Sequence, residues 1–451
     1  MLPQYLAKAV PNPMNKRGPW YTNTAPTYAG IFLWIAFYQQ MAGGTLQHAG
    51  LGICLSALLV AGLLCYALYY RVPAMLGMTT GFPLYVVGSS TFGAAGGYVM
   101  PGLLMGLLQI GWFAVATYFS ADYILRGIGM PSQPGTVPFA IVCILWGGAM
   151  AFAGAKGVQY VSKIALYLNA IPLLMLLIVF FQTAGGVGSY TVAPAASNPY
   201  GAFTGLIAIV IGFFATAGAA GADFGINARH EGDVRMGGLV GITLAVLVAG
   251  GLPLLAVAGA HGSGLTQSWD FGEVVQAIGG PIASAMLLLF AVASIPASCF
   301  CAFIAGNSFN TMIPSVPRVA SSMAAGAVGI VLAITGVAAN LIGFFTIVGA
   351  SFGPIIGAMV ADYLLAGKKW SGPREGVNLP GYIAWAIGFL VGILPLDVLP
   401  LSLSPEAKAY VQPAVVYSFL VGFAVYFILA KAGMQSKPLP MPQAQLKEHL
   451  V

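Results

Sequence analysis

Phe37-Tyr38-Gln39-Gln40-Met41-Ala42-Gly43-Gly44-Thr45 and Phe213-Phe214-Ala215-Thr216-Ala217-Gly218-Ala219-Ala220-Gly221 are the two stretches that decide the fold we predict. Each lies in the first apolar segment of one half of the chain. Gly43 and Gly44, and then Gly218 and Gly221, predict a break in each helix. In a bilayer, broken backbone survives only where protein or a water-filled cavity satisfies its polar groups. Paired breaks in matching positions indicate the substrate site of a transporter built from inverted repeats.

The composition supports a membrane protein. Of 451 residues, 59% are hydrophobic and 6% are charged, whereas soluble domains have about 25% charged residues. The five cysteines all fall in apolar segments and lack the spacing of metal ligands. We therefore expect no disulfide framework and no metal or cofactor site.

Twelve apolar segments are long enough to span a bilayer, which requires about 20 residues. We number them spans one to twelve: 27–49, 51–70, 97–126, 136–154, 158–183, 201–224, 236–260, 280–310, 318–338, 340–366, 380–400 and 411–431. Spans one to five and six to ten form two sets of five, each opened by a broken helix. An odd number of spans in each set means that the second copy inserts upside down.

This pattern predicts an all-α integral membrane protein with a LeuT-like five-plus-five inverted repeat and two additional C-terminal helices. Repeat one covers about 27–183, repeat two about 201–366, and the additional helices about 380–431. Residues 1–26 form a cytoplasmic segment before the transporter domain 27–431. Residues 432–451 form a cytoplasmic tail, and we expect it to be disordered from Met434 onward because it is polar and contains prolines.

The basic residues predict the orientation. With the N-terminus inside, fifteen of the seventeen Lys and Arg residues fall on the cytoplasmic side, and only Arg126 and Lys408 fall outside. This bias predicts a multi-pass protein of the plasma (inner) membrane with both termini cytoplasmic. It also explains the net charge of +6 through anionic lipid, without nucleic acid.

Gln109 and Trp112 are the polar and aromatic residues that stand out in span three. They are i and i+3 on a helix and share one face. A Trp ring offers a stacking surface, and a Gln amide offers a donor and an acceptor. The pair therefore suits a small planar heterocycle. Helix packing is the alternative role for both residues.

The two broken helices supply the other candidate binding residues. Before the break in span six, Phe214 is placed to close an aromatic sandwich with Trp112, Thr216 offers a hydroxyl, and the freed backbone from Ala217 offers hydrogen bonds. In span one we favour Gln40 over its neighbour, because adjacent helical residues point about 100° apart. The alternative for Phe214 is contact with lipid or with the core.

The acidic residues indicate structural pairing. Asp122 precedes Arg126 by four residues, which is the spacing of a helical ion pair. Asp223 and Asp362 also have cations nearby in the sequence, so we expect ion pairs for both. The sequence shows no catalytic Ser/His/Asp set, phosphate loop or metal cluster. We therefore predict that the protein is not an enzyme.

At these residues the chain resembles the nucleobase–cation symporters, the family of cytosine permease and the bacterial hydantoin transporter. The resemblance is carried by four motifs in the same order: Ala42-Gly43-Gly44-Thr45-Leu46, Gln109-Ile110-Gly111-Trp112, Ala217-Gly218 leading to Asp223, and Gly353-Pro354 leading to Asp362. It extends from about residue 27 to about 370. It implies that the base is stacked between aromatic rings and hydrogen-bonded at the Gln109/Trp112 and Phe214/Thr216 positions.

Span eight departs from the family pattern. Where the resemblance implies hydroxyl and Asn residues that serve sodium and the base, this chain has Ala293-Ser294-Ile295-Pro296-Ala297-Ser298. Ser294 and Ser298 are i and i+4 and form a candidate cation site; the alternative is that the sodium site is lost. We expect weak or absent sodium dependence, with a proton gradient or facilitated diffusion in its place.

The sequence therefore predicts a monomeric secondary active permease that moves a nucleobase, such as cytosine, or a related small heterocycle by alternating access. One alternative is a transporter of the same fold for an amino acid or another small organic solute. Another is a membrane receptor or scaffold that keeps the fold without transport, since the span-eight site departs from the family.

Overall fold

The computed structural model describes residues 2–39, 41–313, 315–398 and 403–441; for residues 101, 157–167, 405 and 406 it describes the backbone alone. Within these ranges the chain is helical, and its β pairing is limited to two isolated bridges, Gly18 with Ala228 and Arg374 with Pro438. The prediction of an all-helical protein is confirmed.

Nine helices in the described ranges are long and apolar enough to cross a membrane: Leu51–Thr80, Tyr98–Gly127, Val137–Lys156, Ala170–Ser189, Pro199–Ala219, Glu231–Gly262, Gly280–Met312, Leu341–Leu365 and Ala414–Lys431. Two shorter apolar helices are Arg318–Ile334 and Leu379–Gly392. Span one consists of two pieces, Thr24–Phe32 and Ile35–Tyr38. Short helices connect these elements: Gln4–Ala7, Leu84–Val87, Ser89–Phe92, Phe271–Ile278 and Pro405–Tyr410. The count of twelve spans stays a prediction.

Span one is interrupted earlier than the glycines suggest. Its helix ends at Phe32, and Trp34 is extended, with φ −84° and ψ 139°. Gly43 and Gly44 lie in a later turn, where Gly44 has a φ of +76°. A left-handed φ favours glycine because it has no Cβ. The glycines therefore form the turn near the end of the span, while the helix is already broken ten residues before it.

Span six is interrupted at Ala220, between the helices Pro199–Ala219 and Gly221–Gly225. A Cβ on Gly218 would lie 2.9 Å from the Tyr69 Cβ, and a Cβ on Gly221 would lie 3.2 Å from the Tyr70 carbonyl oxygen. These two glycines therefore permit close packing against span two, since small residues let helix backbones approach.

Two boundaries and the tail differ from the sequence-based prediction. The helix Val137–Leu168 runs past the predicted start of span five and ends at Leu168, because the ring of Pro172 is incompatible with the carbonyl four residues earlier. Span two continues as helix to Thr80. Residues 434–441 of the tail pack against the membrane domain, where the Glu375 N–H donates to the Lys437 carbonyl at 2.8 Å and the Leu439 N–H donates to the Pro373 carbonyl at 2.7 Å.

The interrupted helices lie at the centre of the fold. Pro199–Ala219 packs between span two and Leu341–Leu365. The contact with Leu341–Leu365 is close, because a Cβ on Gly212 would lie 2.5 Å from the Phe345 carbonyl oxygen. Span three packs against spans four, eight and nine. The face of span three that carries Trp112 is thereby brought to spans one, six and ten.

Candidate substrate site

The site begins with Gln109 and Trp112 of span three, which are buried with 8% and 4% of their surface exposed. The Gln109 Nε2 lies 3.6 Å from the Met105 sulfur, a weak acceptor. An amide that is buried with so weak a partner retains most of its hydrogen-bonding capacity for a ligand.

Four aromatic rings surround the Trp112 ring. The centroid distances are 5.5 Å to Trp34, 5.2 Å to Phe213, 4.9 Å to Phe344 and 5.6 Å to Phe345. These residues come from spans one, six and ten. Span three therefore meets both broken helices at Trp112, and this point is the centre of the candidate site.

Phe213, the neighbour of the predicted Phe214, is the span-six ring that contacts Trp112, and the sandwich of a base between Trp112 and Phe214 stays a prediction. The Phe214 ring is stacked on Phe32 at 5.6 Å, with an interplanar angle of 13°, and also lies 5.6 Å from the Tyr28 ring. Neighbouring residues on a helix point about 100° apart, and the sequence does not fix the rotation of span six relative to span three.

The indole nitrogens of Trp34 and Trp112 are buried and lack a hydrogen-bond partner within the described ranges. Buried polar groups are nearly always paired, so each exception needs an explanation. The two rings lie 5.5 Å apart at the interruption of span one. A ligand whose acceptor atoms reached both rings would pair the two nitrogens. Sequence reasoning missed Trp34, although its indole in an interrupted helix was a usable signal.

Span six contributes Thr216 and Ala217 beside this cluster. Thr216 is buried, and its hydroxyl has no partner in the part of the chain that the structure describes. The Ala217 carbonyl accepts a hydrogen bond from the Tyr28 hydroxyl at 3.0 Å. Ala217 therefore links spans six and one in this conformation.

Gln40 lies outside the described residues; its neighbour Gln39 is buried, with 1% of its surface exposed. The Gln39 Nε2 donates to Asp270 Oδ2 at 2.6 Å, and the Tyr123 hydroxyl donates to Gln39 Oε1. Sequence reasoning missed this chain of bonds, because Asp270 lies more than 200 residues away.

Ser294 and Ser298 of the candidate cation site are both buried. The Ser294 hydroxyl donates to the Ala291 carbonyl at 2.7 Å and lies against the Ser120 hydroxyl. The Ser298 hydroxyl donates to the Ser294 carbonyl at 2.9 Å. Both hydroxyl groups are therefore bonded to their own helix.

The ion pairs expected for the acidic residues form in two of three cases. Asp122 pairs with Arg126 at 2.8 Å, and Asp362 pairs with Arg374 at 3.4 Å. The expectation for Asp223 is wrong: its carboxylate accepts from the Leu84 N–H at 3.3 Å and pairs with no cation within the described ranges. Arg229, a cation close to Asp223 in the sequence, pairs with Asp233 instead, at 3.0 Å.

A cavity of about 520 Å³ lies away from Trp112, at the end of the molecule opposite the N-terminal segment. Its walls include His48, Tyr190, His261 and Trp269. The His261 and Trp269 rings are stacked at 3.8 Å. Trp269, which lines this cavity, is the residue directly before Asp270.

The apolar helices, the two interruptions and a buried site that lacks catalytic groups define a multi-pass membrane transporter. Residues 10–422 match the family of permeases for cytosine/purines, uracil, thiamine and allantoin, and the chain belongs to this family. It is therefore a transporter and not an enzyme. The resemblance to the nucleobase–cation symporters is confirmed.

Two relatives from Escherichia coli (strain K12) match most of the chain. Cytosine permease is 24% identical over 383 residues, covering 82% of this chain and 87% of the relative. The putative allantoin permease is 23% identical, covering 86% of this chain and 85% of the relative.

Among solved structures, the inward-facing conformation of Mhp1 is similar with a TM-score of 0.72 at 14% identity, and 99% of each chain is covered. Mhp1, described as a nucleobase-cation-symport-1 family transporter, is also similar in a closed conformation, with a TM-score of 0.66 at 16% identity. These identities establish the shared fold.

Proposed function

We propose that this permease carries a nucleobase such as cytosine, or a related small heterocycle, by alternating access. The single observation that carries this proposal is the pair of buried, unpartnered indole N–H groups of Trp34 and Trp112. A planar base has ring nitrogens and carbonyl oxygens that accept from such donors. Its faces also stack favourably on aromatic rings.

The same location provides complementary polar groups. The Gln109 amide can donate and accept, and Thr216, three residues after Phe213 on the same helix, offers a buried hydroxyl. Gln40 and the backbone near Ala217 remain proposed ligand contacts from the interrupted helices. The binding set that we propose is Gln40, Gln109, Trp112, Thr216 and Ala217, with Trp34 and Phe213 as added aromatic walls.

We propose weak or absent sodium coupling, with a proton gradient or facilitated diffusion in its place, and no cofactor. This proposal is supported by the span-eight stretch Ser294-Ile295-Pro296-Ala297-Ser298, in which only Ser294 and Ser298 offer hydroxyl oxygens to a hard cation that needs several oxygen ligands. Substrate affinity in sodium and in potassium buffer tests it. A sodium-specific gain of about tenfold, or about 1.4 kcal/mol, that disappears in Ser294→Ala would contradict it.

The proposed setting is the plasma (inner) membrane, with both termini cytoplasmic, and the proposed unit is a monomer surrounded by lipid. The N-terminal segment and residues 434–441 would then lie on the inner face. Arg126 and Asp270 would lie on the outer face.

Uptake of labelled cytosine and related bases into proteoliposomes tests the function directly. We expect saturable uptake, and we expect Trp112→Ala to weaken binding by about 1–3 kcal/mol, the size of base–aromatic stacking. Trp146→Ala is the matched control, because Trp146 in span four also has a buried, unpaired indole nitrogen. Equal affinities for wild type and Trp112→Ala would remove Trp112 from the site.

Gln109→Leu gives a second, nearly isosteric test of the same site. Without the amide, a hydrogen-bonding group of the ligand is left buried and unpaired, at a cost of about 1–3 kcal/mol. Wild-type affinity in this variant would assign Gln109 to helix packing.

A further inference from the structure

Four side chains close the outer end of the molecule above the candidate site. The Gln39 amide donates to Asp270 and accepts from Tyr123, as described above. Arg126 Nη1 lies 3.7 Å from Asp270 Oδ1. We call Gln39, Tyr123, Arg126 and Asp270 the outer lock. Its members come from span one, span three and the short helix Phe271–Ile278, which Asp270 caps by accepting from the Glu273 N–H at 2.9 Å.

The outer lock joins the same elements that form the substrate site. Gln39 follows Trp34 by five residues in interrupted span one. Tyr123 follows Trp112 by eleven residues, which places it on the same face of span three and about 16 Å farther along the helix. Opening the outer side therefore requires that the bonds between Gln39 and Tyr123 and between Gln39 and Asp270 break.

Asp270 is the acidic member of the outer lock. Burial raises the pKa of the Asp270 carboxyl and the nearby Asp122 charge adds to the effect, while Arg126 and the hydrogen bonds from the Glu273 N–H and Gln39 oppose it. The net effect is a raised pKa for the Asp270 carboxyl. Once the outer side opens, the carboxyl becomes more fully hydrated and its pKa returns toward the ordinary value of about 3.9. The closed lock therefore binds a proton more tightly than the open one.

We propose that Asp270 is a proton-binding site of the outer lock and that a proton taken from the external solution favours closure over the substrate. The proposal rests on the proposed function for the identity of the cargo, but not for the existence of the lock. By thermodynamic linkage, closure becomes more favourable as the pH falls through the range between the ordinary and the raised pKa of Asp270, and less favourable above that range.

Other charged and titratable groups near Asp270 do not replace it. Six charged or titratable groups lie around Asp270, on its own segment, on span three and on span seven: Asp122, Arg126, Tyr118, Tyr123, Glu273 and His261. Asp122 is paired with Arg126 at 2.8 Å. His261 Nε2–H donates to the Ser268 carbonyl oxygen at 2.9 Å. Glu273 is exposed and lies 3.9 Å from Arg126.

External water has a route to the lock. The outer cavity of about 520 Å³ is lined by Trp269, the residue before Asp270. Asp270 itself is half-buried. Because the Asp270 side chain is 27% exposed, a proton can reach its carboxyl from solvent without passing through the substrate site.

The test is hydrogen–deuterium exchange of the backbone around 35–48, measured without substrate in the full-length protein at about pH 5 and about pH 7.5. Rates are corrected for intrinsic exchange. Wild type should be protected at least about fivefold better at the lower pH, within the usual size of coupling between sites. Asp270→Asn, which is permanently neutral, should give the same rate at both values.

Three further variants complete the design. Asp270→Glu should restore the pH response, and Glu273→Gln, the matched control on the same helix, should keep it. Gln39→Leu retains the carboxyl but removes its amide partner, and should increase exchange at both pH values. This variant keeps the test decisive if Asp270→Asn fails to fold.

An unchanged pH response in Asp270→Asn, its loss in Glu273→Gln, or wild-type exchange in Gln39→Leu would overturn the proposal. Because the exchange measurement needs no substrate, a failure of base uptake leaves it intact. The two proposals can therefore fail separately.

Discussion

Arg17 and Arg126 occupy opposite faces of the membrane domain and bind different acceptors. Arg17 is buried on the face of the N-terminal segment, where its guanidinium donates to the Met78 carbonyl at 2.6 Å and to the Ala228 carbonyl at 3.3 Å. Arg126, on the other face, lies against side-chain carboxylates, among them Asp270. Backbone carbonyls do not titrate between pH 4 and 9, whereas carboxylates do. The comparison therefore teaches that the two faces use different kinds of acceptor: backbone carbonyls accept from Arg17, whereas carboxylates, which can titrate, lie against Arg126.

The largest expected effect comes from the face that carries Arg17. Arg17→Ala removes charge-assisted hydrogen bonds, which contribute about 1.5–3 kcal/mol each, and leaves buried carbonyls unpaired. We expect the free energy of unfolding in detergent to fall by at least about 3 kcal/mol.

Lys16→Ala is the control for this prediction, because Lys16 is the exposed neighbour of Arg17. It should stay within about 0.5 kcal/mol of wild type, as surface substitutions usually do. A loss in Arg17→Ala no larger than the loss in Lys16→Ala would break the comparison, because the backbone carbonyls at Arg17 would then not hold this face together.

A smaller effect is expected within the outer lock. Tyr123→Phe keeps the ring, which packs 6.0 Å from the Phe290 ring, and removes the hydroxyl that donates to Gln39. We expect a loss of about 0.5–1.5 kcal/mol in the free energy of unfolding, the usual net contribution of one hydrogen bond.

Tyr123→Phe also tests the comparison through the rate of backbone hydrogen exchange on the two faces. Backbone exchange around 35–48 should increase, while exchange near residues 12–18 on the inner face should stay unchanged. Equal increases at both faces would show that the hydroxyl supports the whole fold rather than the outer closure.

The smallest effect is expected for the exposed pair of Arg71 and Glu231 on the inner face, which are 3.4 Å apart. Surface ion pairs contribute about 0–1 kcal/mol and are screened by salt. Arg71→Gln should therefore change the unfolding free energy by less than about 0.5 kcal/mol. A larger loss that disappears at high salt would mean that side-chain charge, and not only backbone acceptors, holds the inner face.

The features that could be predicted from sequence depend on local composition and spacing. Long apolar segments predicted the spanning helices, because hydrocarbon requires helices with internal hydrogen bonds. The spacing of Asp122 and Arg126 predicted their ion pair, since i and i+4 are neighbours on any helix. The motifs around Gln109 and Gly353 predicted the family, which the match over residues 10–422 confirmed.

Other features were missed because they depend on rotation and on distant contacts. Phe213 rather than Phe214 meets Trp112, since the orientation of span six is set by its packing on spans two and ten. Span one breaks at Leu33 and Trp34, although neither residue is a conventional helix breaker. The proposed ligand contacts at Gln40, Gln109 and Thr216 stay predictions.

The sequence by itself determined the class of the protein, its apolar helices and the residue types available for a heterocycle, because these follow from composition and from helix periodicity along one segment. Only the tertiary structure decided which partners those residues meet. Gln39 reaches Asp270 across 231 positions, and Tyr28 reaches Ala217 across 189. Such pairs form because packing brings separate helices together, and no pattern within a single helix specifies which of its neighbours will lie there.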